Sequence, residues 1–340
     1  MATTAHHTAE VIDAPEEANE VALTEIPPAR PVPSLLDDAR NGLLKKPRSI
    51  PPKYFYDGVG SQLFDQICDT PEYYPTRTEA ALLEVHSDEI VAVARPEEIL
   101  ELGAGTMRKT RFLIDAAAQS GTLTSYAPFD ISADALEETG RRIVGDYRSL
   151  DLNLLVGDYL AGLDNLPRSD ARRLFVFLGG TIGNFEPAAA EAFLAELADH
   201  MQPGDHLLIG MDRVKDPAVL TAAYNDAQGV TAAFNLNLLD VLNRELGADF
   251  DTGRFFHRAV FNEALSRIEM HLVSRGKQRV HCAALDAAIE LEDGETILTE
   301  ISRKFTDQSI AALMEDTGFA IERHFRPAND YFSLVLAKPR

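Results

Sequence analysis

Cysteine is nearly absent: Cys68 and Cys282 are the two in 340 residues. A pair is too few for a disulfide framework or a structural zinc site, so both are expected to be buried thiols. Basic residues are scarce as well, 32 Lys and Arg against 54 Asp and Glu, for a formal charge of −22. Phosphate backbones are bound by clustered Lys and Arg, so no nucleic-acid partner is expected. An anionic membrane surface is equally disfavoured. A small cationic ligand is compatible with the acidic balance, although solubility alone accounts for it. No apolar run reaches the ~18 residues that span a bilayer, and the first residues lack the basic start and apolar stretch of a secretory signal. These absences lead to the expectation of a cytoplasmic protein with no membrane partner. What remains is enough chain for a sizeable core, in one large domain or two interleaved ones.

Residues 1–33 carry Glu10, Asp13, Glu16, Glu17, Glu20 and Glu25, no aromatic residue, and end in a proline-rich run from Pro27 to Pro33. Such a composition buries too little apolar surface to offset the entropy of ordering, so a disordered acidic tail is expected. Ser34 is a plausible N-cap for a helix from Leu35 to Leu44. Prolines at 47, 51 and 52 break the pattern before the aromatic stretch Tyr54-Phe55-Tyr56 and the segment Pro71 to Arg77. From about residue 78 helices alternate with near-continuous apolar strands, ending with the strand His206 to Gly210. That rhythm predicts a parallel sheet covered on both faces. Residues 214–304 read differently. Helical stretches from Leu220 to Leu246 precede strands at Arg267–Val273 and Arg279–Leu285 that alternate like half-buried antiparallel ones. Residues 305–340 return to helix, strand, strand. The predicted divisions are therefore 1–33, 34–77, 78–213, 214–304 and 305–340, with 214–304 interrupting the core before it closes.

The strand Glu98 to Leu102 runs into Gly103-Ala104-Gly105. A Gly-x-Gly turn opening a helix lets the backbone approach a ligand and aims helix N-terminal amides at it. Dinucleotide sites continue to a third glycine, G-x-G-x-x-G, and Arg108 stands there instead. With Glu101 two residues before the first glycine, E-x-G-x-G resembles motif I of class I S-adenosylmethionine (SAM)-dependent methyltransferases. In a doubly wound sheet, the parts of SAM meet loops at the carboxyl ends of successive strands. Gly103 and Gly105 suit its amino-acid end. Asp130, about 25 residues on, suits the two ribose hydroxyls, since a carboxylate accepts both. Asp158 suits the adenine amino group, and Tyr159 flanks the ring. Each acid alone also reads as a cap on its turn, but three such features at consecutive strand ends favour SAM over NAD.

Longer runs are more specific: Leu63-Phe64-Asp65-Gln66-Ile67, Pro71 through Ala80, Thr181-Ile182-Gly183-Asn184, Gly229 through Asn235, Asn243-Arg244-Glu245-Leu246, and Leu298-Thr299-Glu300 with Ser302. With these, about residues 35–340 closely resemble the histidine Nα-methyltransferases of ergothioneine biosynthesis, which convert L-histidine to hercynine with three SAM molecules. The resemblance implies an α/β fold: a Rossmann-like, doubly wound class I SAM-methyltransferase sheet with a second, α+β substrate-recognition domain. That second domain is built from residues 34–77 and 214–304. The resemblance also places SAM against Gly103, Lys109, Asp130, Asp158 and Tyr159. It places the substrate α-carboxylate on Asn184 and Tyr224 and the imidazole on Glu300 and Ser302, with Tyr73 beside it and Met270 lining the pocket. Tyr56 and Phe64 fall at an aromatic wall near the reacting amine, and Gly179 and Thr181 on the amine-side loop. One departure touches that loop, where Gly180 stands in place of a serine of a close relative.

The chemistry so implied is displacement at a sulfonium methyl by a neutral amine. An α-amino group has a pKa of about 8, so the site must favour its deprotonated form, through the sulfonium charge and desolvation by the aromatic wall. No dedicated general base is named; Tyr56 is a candidate to relay the proton through water. Positioning and water exclusion supply most of the rate. An aromatic wall also tolerates a growing cationic amine without N–H donors. Glu300 carries the specificity for imidazole, unless it merely pairs with Arg303 or Lys304. The alternatives are Nα-methylation of a tryptophan-type substrate, an NAD-dependent oxidoreductase, and a SAM-fold binding module without turnover. No metal is expected: His6-His7 is too short, and His257, His271 and His281 lack carboxylates at ligand spacing. The sequence leaves the oligomeric state open, a monomer included.

Overall fold

The computed structural model describes residues 22–105, 107–147, 150–161 and 163–340. The acidic stretch 1–21 and Thr106 of the glycine turn lie outside the described residues. The N-terminal part contains a short strand β1 (Ala22–Glu25), helix α1 (Leu35–Leu43), strand β2 (Arg48–Ser49), helix α2 (Gly58–Asp69) and the long helix α3 (Tyr74–Ala94). Alternation follows: β3 (Glu98–Leu102), α4 (Arg111–Ser120), β4 (Ser125–Asp130), α5 (Ala133–Asp146), β5 (Asp151–Val156), β6 (Arg173–Phe177), α6 (Pro187–His200) and β7 (His206–Asp212). Next come α7 (Pro217–Ala223), α8 (Val230–Leu246), β8 (Phe255–Asn262), β9 (Arg267–Ser274), β10 (Gln278–Cys282), β11 (Ala287–Leu291) and β12 (Thr296–Arg303). Helix α9 (Asp307–Asp316) and strands β13 (Phe319–Phe325) and β14 (Phe332–Pro339) end the chain.

The main sheet has the order β1-β5-β4-β3-β6-β7-β14-β13. It is parallel through β7, and β14 inserts antiparallel between β7 and β13. Strands β3, β6 and β7 are buried at every residue, which is why their sequences are apolar without alternation. Leu83 and Ile90 of α3, Ile114 of α4 and Leu136 of α5 cover one face. Leu194 and Leu197 of α6 and Ile310 of α9 cover the other. Strand order reverses between β3 and β6, so a crevice opens beyond their carboxyl ends, where ligands of such sheets bind.

A smaller sheet, β2-β12-β9-β8, and the hairpin β10-β11 come from residues 255–303 together with β2. On β9, Ile268, Met270 and Leu272 are buried while Arg267, Glu269 and His271 are half-exposed, the alternation expected of a strand covered on one face. Leu43, Phe55 and Ile67 of the N-terminal part share one hydrophobic core with Leu238, Met270 and Ile297.

Several local differences from the sequence expectation have plain causes. Residues 22–33, assigned above to the disordered tail, are ordered. Strand β1 pairs with the edge strand β5, Ile26 is 8 % exposed, and the N–H groups of Ala29 and Arg30 donate to the Ala161 carbonyl at 3.1 and 3.0 Å. An open sheet edge presents unpaired backbone groups, and this short segment satisfies them despite its polar composition. Helix α3 starts at Tyr74, ahead of the alternation expected from about residue 78, because Pro75 sits in its first turn, where proline's fixed φ suits a helix. The helical stretch at 220–246 is two helices: the Asp226 carboxylate accepts the N–H groups of Val230 and Thr231, both at 2.8 Å, and so caps a new start. No helix among the described residues is long and apolar enough to cross a membrane.

Candidate active site

Beyond β3, Gly103 and Gly105 have φ of 72° and 50°, the left-handed region that glycine enters without strain. The Gly103 N–H donates to the Phe129 carbonyl at 2.8 Å, and the Gly105 N–H to the Asp130 carboxylate at 3.0 Å. The other Asp130 oxygen accepts the Ser132 N–H at 3.0 Å, and Asp158 accepts the Leu160 N–H at 2.8 Å. Both acids therefore shape their own turns. A carboxylate offers about four lone-pair sites, so each retains capacity for a ligand hydroxyl or amine. A methyl group on Gly103 would lie 3.6 Å from the Tyr159 ring, which itself meets Phe129 and Phe177 edge-on. Glycine turn, ribose candidate and ring candidate thus surround one crevice, and its open cradle fits the amino-acid end of SAM. Glu101 of the motif does not face it: its carboxyl is buried and accepts the hydroxyls of Thr110 and Tyr126. Burial pushes the Glu101 pKa up to about 7, against those two hydrogen bonds. It joins the start of α4 to β4.

Lys109 leaves the same loop and pairs with Glu79 of α3, a residue given no site role by the sequence. Glu79 also accepts the Gly179 N–H at 2.8 Å, so one carboxylate joins the loops that follow β3 and β6. Gly179 and Thr181 begin the β6 loop, and the Thr181 hydroxyl donates to the Leu178 carbonyl at 2.8 Å. Asn184 ends its single 3-10 turn, half-exposed. A Cβ on Gly183 would come within 2.9 Å of the Arg303 carbonyl, so the turn lies directly on β12.

An aromatic chain borders the β12 side. Tyr56 meets Phe64 at 5.6 Å between centroids, Phe64 meets Tyr73 at 6.4 Å, and Tyr73 meets Tyr224 at 5.9 Å. Phe234, also missed from the sequence, packs against Phe55, Tyr56 and Phe64. Tyr56 keeps 43 % of its surface accessible, yet protein surrounds it and burial drives its pKa well above the ordinary value, aided by the charge of Glu300. A side chain reached by water but enclosed by protein lines a recess. The charges of Tyr159, Cys68 and Tyr224 also raise the Tyr56 pKa.

Glu300 and Ser302 sit at alternate positions of β12, which in a strand share a face, and Lys304 follows the strand directly. Glu300 lies opposite Met270 of β9, which is 1 % exposed, next to a register shift in β12. Burial pushes the Glu300 pKa up to about 7, with Lys304 pulling the other way. Neither cation considered above takes it. The Arg303 guanidinium lies over the Phe305 ring, and the Lys304 ammonium is 2.7 Å from Asp212. Lys304 also donates to Ser302 at 2.7 Å and to Tyr224 at 3.2 Å, which fills its three donors. The Tyr224 hydroxyl in turn donates to Ser302 at 2.8 Å.

Asp212, at the end of β7, is the hub of this network. It accepts Tyr74 at 2.7 Å and Lys215 at 2.5 Å in addition to Lys304. Burial favours its neutral form, but the two lysines outweigh that and hold its pKa below the ordinary value. Lys215 is pulled down to about 8 by burial, whereas Asp212 lifts Lys304 to about 12 against burial. Glu300 and Ser302 follow from the family resemblance rather than from a strand pattern; Asp212, Lys215 and Tyr74 had no local signal. Among the described residues no cluster of three His, Cys, Asp or Glu side chains could hold a metal ion. His257 instead pairs with Asn235 at 2.9 Å and with the Tyr224 carbonyl at 2.8 Å.

A family model described as "Histidine-specific methyltransferase, SAM-dependent" matches residues 35–339. A histidine N-alpha-methyltransferase of Mycobacterium tuberculosis is 47 % identical over 304 residues, covering 89 % of this chain and 94 % of the relative. Its namesake from Mycolicibacterium smegmatis is 48 % identical over 306 residues, with the same coverage of both chains. Ergothioneine biosynthesis protein 1 of Neurospora crassa is 30 % identical over 304 residues, which span 86 % of this chain and 34 % of that longer protein.

Proposed function

The chain belongs to the histidine-specific, SAM-dependent methyltransferase family, and on that premise we propose that it trimethylates the α-amine of L-histidine to hercynine, the first step of ergothioneine biosynthesis. When bound, SAM supplies the sulfonium-activated methyl group. Gly103, Gly105 and Lys109 hold its amino-acid end, Asp130 the ribose, and Asp158 with Tyr159 the adenine. Asn184 and Tyr224 receive the substrate carboxylate, and Glu300 and Ser302 the imidazole, over Met270 and beside Tyr73. Gly179 and Thr181 border the amine, and Tyr56 and Phe64 form the wall against it.

The observation that carries this reading is the state of Glu300. It is an acid inside a recess walled by tyrosines, and the nearby cation Lys304 is held by Asp212. A carboxylate in that position is satisfied by an imidazole N–H and left unpaired by an apolar side chain, at a cost of about 1–3 kcal/mol. The Tyr56 hydroxyl, its pKa raised by burial and by Glu300, stays protonated at neutral pH. It can pass a proton along a hydrogen-bonded water but does not serve as a tyrosinate base. Its ring and that of Phe64 keep water from the amine and accommodate the methylated cation.

The test is a mass-resolved methylation assay with SAM and each common amino acid, run on the wild type and on Glu300→Ala. Three methyl groups on histidine are expected from the wild type. Glu300→Ala should raise the histidine KM by roughly 10–100-fold while SAM affinity changes little. Methylation of tryptophan in place of histidine, or equal loss of both affinities in the variant, would overturn the pocket assignment.

A further inference from the structure

Glu79 has no exposed surface, yet it stands on α3 between the two loops of the proposed site. Its two oxygens accept the Gly179 N–H at 3.0 and 2.8 Å, and one of them pairs with the Lys109 ammonium. A Cβ on Gly210 of β7 would overlap the same carboxylate, so the sheet leaves room for this acid by carrying glycine there. A methyl group on Gly179 would lie 3.7 Å from the Lys109 nitrogen. Lys109 therefore sits at the reversal of strand order, between the glycine turn beyond β3 and the amine-side loop beyond β6.

This location poses an electrostatic problem for a methyltransferase. An unpaired ammonium attracts the carboxylate of the cofactor's amino-acid end, but it repels the sulfonium that bears the methyl group. The product thioether, S-adenosylhomocysteine, lacks that positive charge and escapes the repulsion. A lysine alone would bias the site towards product. An adjacent buried carboxylate cancels the bias, because the interaction of charges weakens little in a water-poor corner.

We propose that Glu79 is a positioning residue of the methyl-transfer corner: it fixes Lys109 and the Gly179 N–H on one carboxylate and neutralises the lysine, so that the site prefers SAM to S-adenosylhomocysteine. The proposal rests on the placement of SAM against Gly103 and Lys109. Its consequence is greatest for an enzyme that transfers three methyl groups, since product must give way to fresh cofactor between transfers.

Calorimetric dissociation constants for SAM and S-adenosylhomocysteine, measured without amino-acid substrate, test it. Glu79→Gln keeps an oxygen for the Gly179 N–H and removes the charge. It should shift the ratio of SAM to S-adenosylhomocysteine affinity about tenfold or more towards the product. Lys109→Met leaves Glu79 unpaired and should shift the ratio the other way, and the double variant should return close to the wild-type ratio. Parallel loss of both ligands with no change of ratio in the single variants would overturn the proposal and leave Glu79 a structural acid. Should Glu79→Gln fail to fold, Lys109→Met decides alone, an unchanged ratio counting against the proposal. A wild type that binds neither ligand would overturn the cofactor placement itself, an outcome distinct from an unmoved ratio.

Discussion

Glu101, Glu79 and Glu300 are three acids of one sequence class with three different neighbourhoods. Glu101 belongs to the glycine motif yet spends its oxygens on Thr110 and Tyr126. Its folded pKa, about 7, exceeds the ordinary value because burial disfavours the charge. The fold therefore binds its proton more tightly than the unfolded chain does. The stability it contributes is full below about pH 4.3, the ordinary glutamate value, and is lost as pH rises through 7. For Glu101 the difference amounts to roughly 4 kcal/mol. Thermal unfolding from pH 5 to 8 should fall less steeply in Glu101→Gln than in the wild type; identical slopes would show that Glu101 is not the titrating group. Only position distinguishes this acid from Glu300, whose pKa is raised by the same cause but whose carboxyl the proposed function sets against the imidazole.

At the level of elements, the parallel strands and their helices were readable because periodicity and turn residues are local properties. Ser34 caps α1 as expected, accepting the Asp37 N–H at 3.2 Å. Strand β12 was not read from the sequence, although Ile297, Thr299 and Ile301 alternate inward. Its apolar residues are few and interleaved with threonine, glutamate and serine, so the pattern is weak. Strand β1 was unreadable for a different reason. The four residues Ala22–Glu25 have no pattern of their own, and the edge of β5 makes them a strand. Removing residues 1–33 should therefore lower the melting temperature by several degrees relative to removing residues 1–21 alone. The longer truncation exposes β5 and removes Ile26 from the core, a side chain whose burial is worth about 1.5–3 kcal/mol. Equal melting temperatures for the two truncations would show that the edge pairing adds nothing.

In the whole molecule, the chain leaves the main sheet for the smaller one twice, between β1 and α3 and again over residues 213–304. Asp212 joins both passages: Tyr74 begins α3, Lys215 follows β7, and Lys304 follows β12. Two sheets laced by a buried ion network should unfold together. A single transition is expected, raised by about 2.7 kcal/mol in S-adenosylhomocysteine at 100 times its dissociation constant. Two transitions, of which one alone responds, would show that the sheets melt independently. The sequence by itself determined the alternating sheet, the glycine turn with its following acids, and the family, since each is written in neighbouring residues or in long matching runs. Only the tertiary structure decided that Glu79 reaches Gly179, that Asp212 takes Lys304 away from Glu300, and that residues 22–33 are ordered. Those outcomes depend on which groups, distant along the chain, compete for the same buried hydrogen bonds and charges, and local pattern holds no record of that competition.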